Sequence, residues 1–244
     1  MQIAVIPKGT THVFWKSVEA GAQKAADELG VDMIWKGPLK ENDRAQQISI
    51  VEQFVGDKIG AIVLAPLDYD ALVKPVQEAA SAKIPVVIID SALKGKAGKD
   101  FVSFVATRNF KGGQLAGEQL AKLLGGKGKV VLLRYQVGSA STQEREEGFL
   151  SVMRKNPGIK MLVENQYGGA TASESQTASM NILDQLKQAD GVFCPNESST
   201  FGMLLALKQS GLAGKLKFVG FDATPQLVDG LKAGEIDALV AQDP

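Results

Sequence analysis

Histidine and cysteine are nearly absent from this sequence: His12 and Cys194 are the only ones in 244 residues. One histidine rules out a His-rich metal cluster, and any Ser-His-Asp triad would have to use His12. One cysteine cannot close an internal disulfide. Cys194 follows Val192 and Phe193 in an apolar run, so it reads as a buried, inert thiol, and the missing disulfides then say little about compartment. Net charge is lacking too. Lys plus Arg and Asp plus Glu both count 27, and no basic run stands out, so nothing points to nucleic acid or a membrane surface. The apolar runs fall short of the about 20 residues that a bilayer span needs. No basic segment followed by an apolar one precedes the first strand; the expectation is a cytosolic protein or a sequence from which a targeting segment has been removed. Nucleophile-elbow, Walker and strand-GxGxxG-helix patterns are missing, since Gly125, Gly126 and Gly128 precede a strand. No cofactor and no catalysis are expected.

What the chain does contain is strand and helix signals in alternation. Strand-like runs fall at 2–6, 31–35, 61–65, 85–90, 101–105, 129–134, 160–164, 191–194, 217–221 and 238–241. Between them lie helical spacings at 14–29, 42–55, 70–82, 109–124, 143–154, 172–187, 199–209 and 225–233. This is the doubly wound α/β pattern, and two successive βα sets of about 100 residues each predict two similar lobes. The boundaries are placed at 1–105 for the first lobe, with 242–244 returning to it, and 106–241 for the second.

The polar residues concentrate where strands end. Lys8 follows Ile3–Pro7, Asp90 ends Pro85–Ile89, Asn196 follows Val192–Pro195, Asp222 ends Lys217–Phe221, and Gln242 ends Ala238–Ala241. In open parallel sheets the ligand crevice lies at the carboxyl ends of the strands, so a recurrence in both lobes predicts a small polar ligand there. Asp222 could equally cap the helix starting near Pro225, and Ser91 could be a turn residue. The chemistry is mixed: Asp90 and Asp222 accept, Lys8 and Arg145 donate, Asn196 and Gln242 do both. That suits a neutral polyhydroxylated ligand, with Phe14 and Trp15 offering flat faces to a sugar ring; core packing is the alternative for that pair.

The motifs IAVIPKGTTHVFWKSVEAGAQKAADELGV, IPVVIIDS, TRNFKGGQLAGEQLA, TQEREEGF, VFCPNESSTFGMLLAL, KFVGFDATP and ALVAQDP run nearly end to end. In this order they resemble the periplasmic sugar-binding proteins of the ribose-binding type, which share their fold with Lac-repressor-like effector domains. The resemblance implies two Rossmann-like lobes joined by a hinge and closing on a monosaccharide or similar polyol, read by the membrane permease of an ABC importer. It implies a monomer with no nucleic-acid partner, in the periplasm, or extracellular and lipid-anchored in a Gram-positive source. The ligand-binding residues implied are Lys8, His12, Phe14, Trp15, Asp90, Ser91, Arg145, Asn196, Asp222 and Gln242. The crossings between lobes are expected near 105–108 and 241–244.

Lys8 and Ser91 depart from the ribose pattern and, with the segment NQYGGATASESQTA, resemble binders of a quorum-signal furanose; Arg145 and Asn196 resemble those of an ordinary aldose. Relatives of the ribose-binding type continue past the position of Gln242 with elements that complete the first lobe. The expectation is therefore a fragment that lacks them, with apolar surface left bare on that lobe. A sugar-effector domain of a transcription regulator is the competing class.

Overall fold

The computed structural model describes residues 1–243, and Pro244 lies outside them. The chain divides into two compact units, one formed by Met1–Ala106 with Gly138–Ser141, the other by Thr107–Val137 with Thr142–Asp243. Gln242 and Asp243, which the sequence reading returned to the first lobe, group with the second unit.

In the first unit, strands β1 (Gln2–Ile6), β2 (Asp32–Trp35), β3 (Ala61–Leu64), β4 (Val86–Ile89) and β5 (Ser103–Val105) form a parallel sheet in the order β2-β1-β3-β4-β5. Helices α1 (Val13–Leu29), α2 (Arg44–Gly56) and α3 (Val73–Ser81) connect them. Side chains alternate across a strand, so each sheet face draws on every second residue. On one face Ala4, Ile6, Ile62, Leu64 and Ile88 pack under Val51 and Phe54 of α2 and Val76 and Ala79 of α3. The other face is less covered: Val63, Val87 and Ile89 are half-buried and Val105 is exposed. Helix α1 ends where expected, with Gly30 in the left-handed region at φ 63° and its N–H on the carbonyls of Ala26 and Asp27. The helical spacing of Val18, Ala22, Ala25 and Leu29 in the sequence holds only in part: Val18 and Ala22 are half-buried, Leu29 is 75% exposed, and the buried residues are Trp15 and Ala26.

In the second unit, helix α4 (Asn109–Leu123) precedes β6 (Gly128–Arg134), α5 (Ala140–Met153), β7 (Ile159–Tyr167), α6 (Ala172–Asn181) and the one-turn α7 (Leu183–Leu186). Then come β8 (Gly191–Phe193), α8 (Glu197–Gln209), β9 (Lys217–Phe221), α9 (Pro225–Lys232) and β10 (Ala238–Val240). One continuous helix was expected over 172–187; Ile182, at φ −110°, breaks it in two. Here both faces of the central strands are packed. Val130, Leu132, Phe193, Val219 and Phe221 face α4 and α5, while Val131, Leu133, Val192 and Phe218 face α6, α8 and α9.

The second sheet runs β7-β6-β8-β9-β10, all parallel, the same order as the first. The match extends to detail. Asp90 directly follows β4 and Asp222 directly follows β9, which hold the same place in their sheets. Their φ angles are 61° and 74°, and their N–H groups bond the last carbonyl of the edge strand: Val105 O at 3.0 Å and Val240 O at 2.8 Å.

Candidate functional site

At the carboxyl end of the first sheet, β1 delivers Lys8 and β4 delivers Asp90. Lys8 is 3% exposed; its Nζ lies 2.9 Å from Asp90 Oδ2 and donates to Ser141 Oγ at 2.8 Å and Ser139 Oγ at 3.5 Å. An ammonium has three protons, so these three acceptors match its donor capacity. Ser91 is fully buried, its Oγ accepting the Ser141 N–H at 3.0 Å. In this structure Lys8 therefore spends its charge on Asp90 and on two serines that sequence reasoning passed over. Both belong to the short segment 138–141, which packs with the first unit; no local signal in the sequence tells that they return there.

Beside this cluster lies a second one. His12 is the N-cap residue of α1 but makes no side-chain cap; its Nδ1 lies 2.8 Å from Glu41 Oε1. Trp15 Nε1 donates to the same oxygen at 2.6 Å. Burial alone would raise the Glu41 pKa, but the His12 charge and hydrogen bond, Lys8 and Trp15 outweigh it and hold the carboxyl at about 2. Trp15 is 2% exposed and meets the half-buried Phe14 edge-on, ring centres 5.0 Å apart. Glu41 was missed by the sequence reading because it sits in the polar β2–α2 segment with no motif around it. Gln47 was missed likewise: fully buried on α2, it donates to Pro7 O and Ala65 O and accepts from Leu67 N, tying the ends of β1 and β3 together.

The second unit gathers three of its predicted residues, Arg145, Gln242 and Asp222, into one network. Arg145, 3% exposed on α5, donates from Nε to Asn109 Oδ1 at 2.9 Å, from Nη1 to Pro195 O at 3.0 Å and from Nη2 to Gln242 Oε1 at 2.8 Å. Its guanidinium stacks 4.0 Å above the Phe221 ring. Gln242 Oε1 also accepts from Thr107 Oγ1 at 2.9 Å, and Gln242 Nε2 donates to Asp222 Oδ1 at 2.6 Å. The other oxygen, Oδ2, accepts the Glu197 N–H at 2.7 Å. Asp222 thus steadies the first turn of α8 rather than capping α9, whose N-cap is Thr224.

Asn196 is the N-cap of α8, its Oδ1 accepting from Ser199 N at 3.3 Å and Ser199 Oγ at 2.6 Å, its Nδ2 donating to Ser198 Oγ at 3.2 Å. Lys8, Asn196 and Gln242 stand two or three residues beyond their strands, not at most one as the sequence suggested, because β1, β8 and β10 end at Ile6, Phe193 and Val240. Cys194 is fully buried and burial pushes its thiol pKa well up, which leaves it unreactive.

Two sets of buried donors and acceptors, one per unit, suit ligand binding by hydrogen bonds. Among the described residues no group of three or more His, Cys, Asp or Glu side chains is arranged to hold a metal ion, and no helix is long and apolar enough to cross a membrane. A family model described as periplasmic binding protein domain matches residues 3–244. Over 247 residues the chain is 32% identical to the ribose import binding protein RbsB of Salmonella typhimurium, spanning 99% of this chain and 79% of that protein. The periplasmic component of an ABC-type sugar transport system from Hahella chejuensis matches with a TM-score of 0.93 and 36% identity, over 98% of this chain and 86% of that one. A solute binding protein of an ABC transporter from Agrobacterium vitis, with bound D-fucose, matches with a TM-score of 0.93 and 35% identity, over 98% and 82%.

Proposed function

Because this chain belongs to the periplasmic binding protein domain family, whose members matched here are transport components and not enzymes, we propose that it is a sugar-binding protein of an ABC importer. It captures a monosaccharide or similar polyol by hinge closure of its two lobes and delivers it to a permease. It works as a monomer in the periplasm, or outside the cell on a lipid anchor. A ribose binder and a D-fucose binder among its relatives support a neutral sugar as the ligand class.

The observation that carries this reading is the repeated aspartate. Asp90 and Asp222 hold equivalent places in two sheets of the same order, both in the left-handed backbone region. A non-glycine residue there costs about 1 kcal/mol or more, and such strain concentrates at functional positions. In this reading the two carboxylates accept hydroxyl protons of the sugar. Arg145, Asn196 and Gln242 serve it from the second unit, and Lys8, His12 and Ser91 from the first. Phe14 stacks on the ring with Trp15 backing it. The ligand closes the lobes because it binds the closed form better than the open one.

The test is a thermal-shift screen over pentoses, hexoses, polyols and furanose signals, followed by calorimetry on Asp90→Ala and Asp222→Ala. A true ligand raises the unfolding midpoint, and each variant should bind it about 1.5–3 kcal/mol more weakly. Unchanged affinity in both variants would remove the aspartates from the site. The furanose reading gains if only furanose signals shift the midpoint.

A further inference from the structure

One oxygen of Glu41 takes both the His12 Nδ1 contact and the Trp15 indole N–H. The loop that carries Glu41 is built to lie against the β1–α1 loop. A Cβ added to Gly9 would come within 2.9 Å of Glu41 Cγ and 3.3 Å of Glu41 N, and one added to Gly37 within 2.7 Å of Pro7 Cγ. Thr10 Oγ1 also reaches Pro38 O at 3.4 Å. Glycine at 9 and 37 is thus what lets the two loops touch and brings the carboxylate onto His12.

An ionised carboxylate has no proton to give, so the bridging proton of the His12–Glu41 contact belongs to Nδ1. We propose that Glu41 is a positioning residue of the ligand site: it holds His12 in the Nδ1–H form and anchors Trp15 behind Phe14. The inference rests on the sugar-binding reading for its ligand half only. With Nδ1–H fixed, Nε2 alone changes role with pH, an acceptor toward a hydroxyl when the ring is neutral and a donor when it is charged. The groups facing this imidazole and its partner are Glu41 from the β2–α2 loop and Lys8 from the β1–α1 loop, and Lys8 is itself paired with Asp90 at the end of β4. Sugar affinity therefore follows the His12 titration, and Glu41 sets where that titration falls.

Because His12 is the only histidine, long-range proton–nitrogen spectra of the ¹⁵N-labelled chain report one imidazole without assignment. Above its midpoint the wild type should show Nδ1–H. In Glu41→Gln, which keeps an acceptor but loses the charge, the midpoint should fall by about half a unit or more, and calorimetry with the best sugar of the screen should give a Kd about threefold higher or more. Gly9→Ala, which crowds Glu41, should shift both in the same direction. His12→Gln should fold normally and bind with no pH dependence across the window where the wild type shows one. An Nε2–H form in the wild type overturns the proposal, as does an unmoved midpoint, or wild-type affinity, in Glu41→Gln. A wild-type chain that binds no sugar sinks the sugar reading itself, while the imidazole spectra still uphold or overturn the pairing.

Discussion

Replacing Arg145 by lysine tests the centre of the second unit's network. The guanidinium makes three hydrogen bonds in three directions, to Asn109 Oδ1, Pro195 O and Gln242 Oε1, and stacks on Phe221. An ammonium at the end of a flexible stem can reach one of these acceptors well, and it loses the planar stack. Two buried acceptors are then left short, each at about 1.5–3 kcal/mol, and the stack is worth about 1 kcal/mol. Some repacking will recover part of this, so we expect a net loss of about 4 kcal/mol. With a urea slope of about 2 kcal/mol per molar, the unfolding midpoint of this unit should fall by about 2 M. Circular dichroism follows that transition, while Trp15 and Trp35, the only two tryptophans and both in the first unit, provide an internal control by fluorescence. Arg145 also holds Gln242, which holds Asp222. Sugar affinity should therefore fall about tenfold, or about 1.4 kcal/mol. A midpoint within about 0.2 M of wild type would show that the fork geometry contributes nothing, and the network argument would fail.

Two further expectations follow from buried groups. Glu41 titrates near 2 in the fold against 4.5 in its ordinary range. A depressed acid contributes stability that is present above about 4.5 and is lost as pH falls toward 2, about 3 kcal/mol in all. Denaturant titrations should show the advantage of wild type over Glu41→Gln shrinking steadily from pH 5 to pH 3, and a constant gap between the two would contradict the pairing. Gly113 on α4 faces α5, where an added Cβ would overlap the Arg145 carbonyl, whereas Gly21 on α1 has nothing within 4 Å of such an atom. Gly113→Ala should lower stability by about 3 kcal/mol or more, and Gly21→Ala should raise it by up to about 1 kcal/mol; equal midpoints for the two variants would refute the close helix crossing.

The alternation of strands and helices was legible because buried parallel strands such as Ala61–Leu64 are short apolar runs bounded by turn residues. So were both strand-end aspartates, since a carboxylate closing an apolar run is conspicuous. What the pattern could not tell is which partner each group would meet. Asn196 and Ser199 cap each other across three residues, a local arrangement that sequence can suggest. Lys8 meeting Ser141 joins residues 133 apart in the chain, and Trp15 meeting Glu41 joins residues 26 apart. Such contacts depend on how loops fold over sheet ends, where no periodicity operates. The stripes of α2 and α3 held, with Val51, Leu72, Val76 and Ala79 buried, but that of α1 held only in part: Leu29 satisfies the spacing and is exposed, while Trp15 at the other end is buried.

The two aspartates carry a consequence for how such a protein changes its preferences over time. Each is held by the same backbone device, a left-handed turn whose N–H is bonded to the neighbouring edge strand. Each is nonetheless given a different companion, an ammonium for Asp90 and a carboxamide for Asp222. The device belongs to the sheet, and the companion is a single side chain on another element. Mutation can therefore exchange the companion of one aspartate while the other aspartate keeps its backbone setting and its partner.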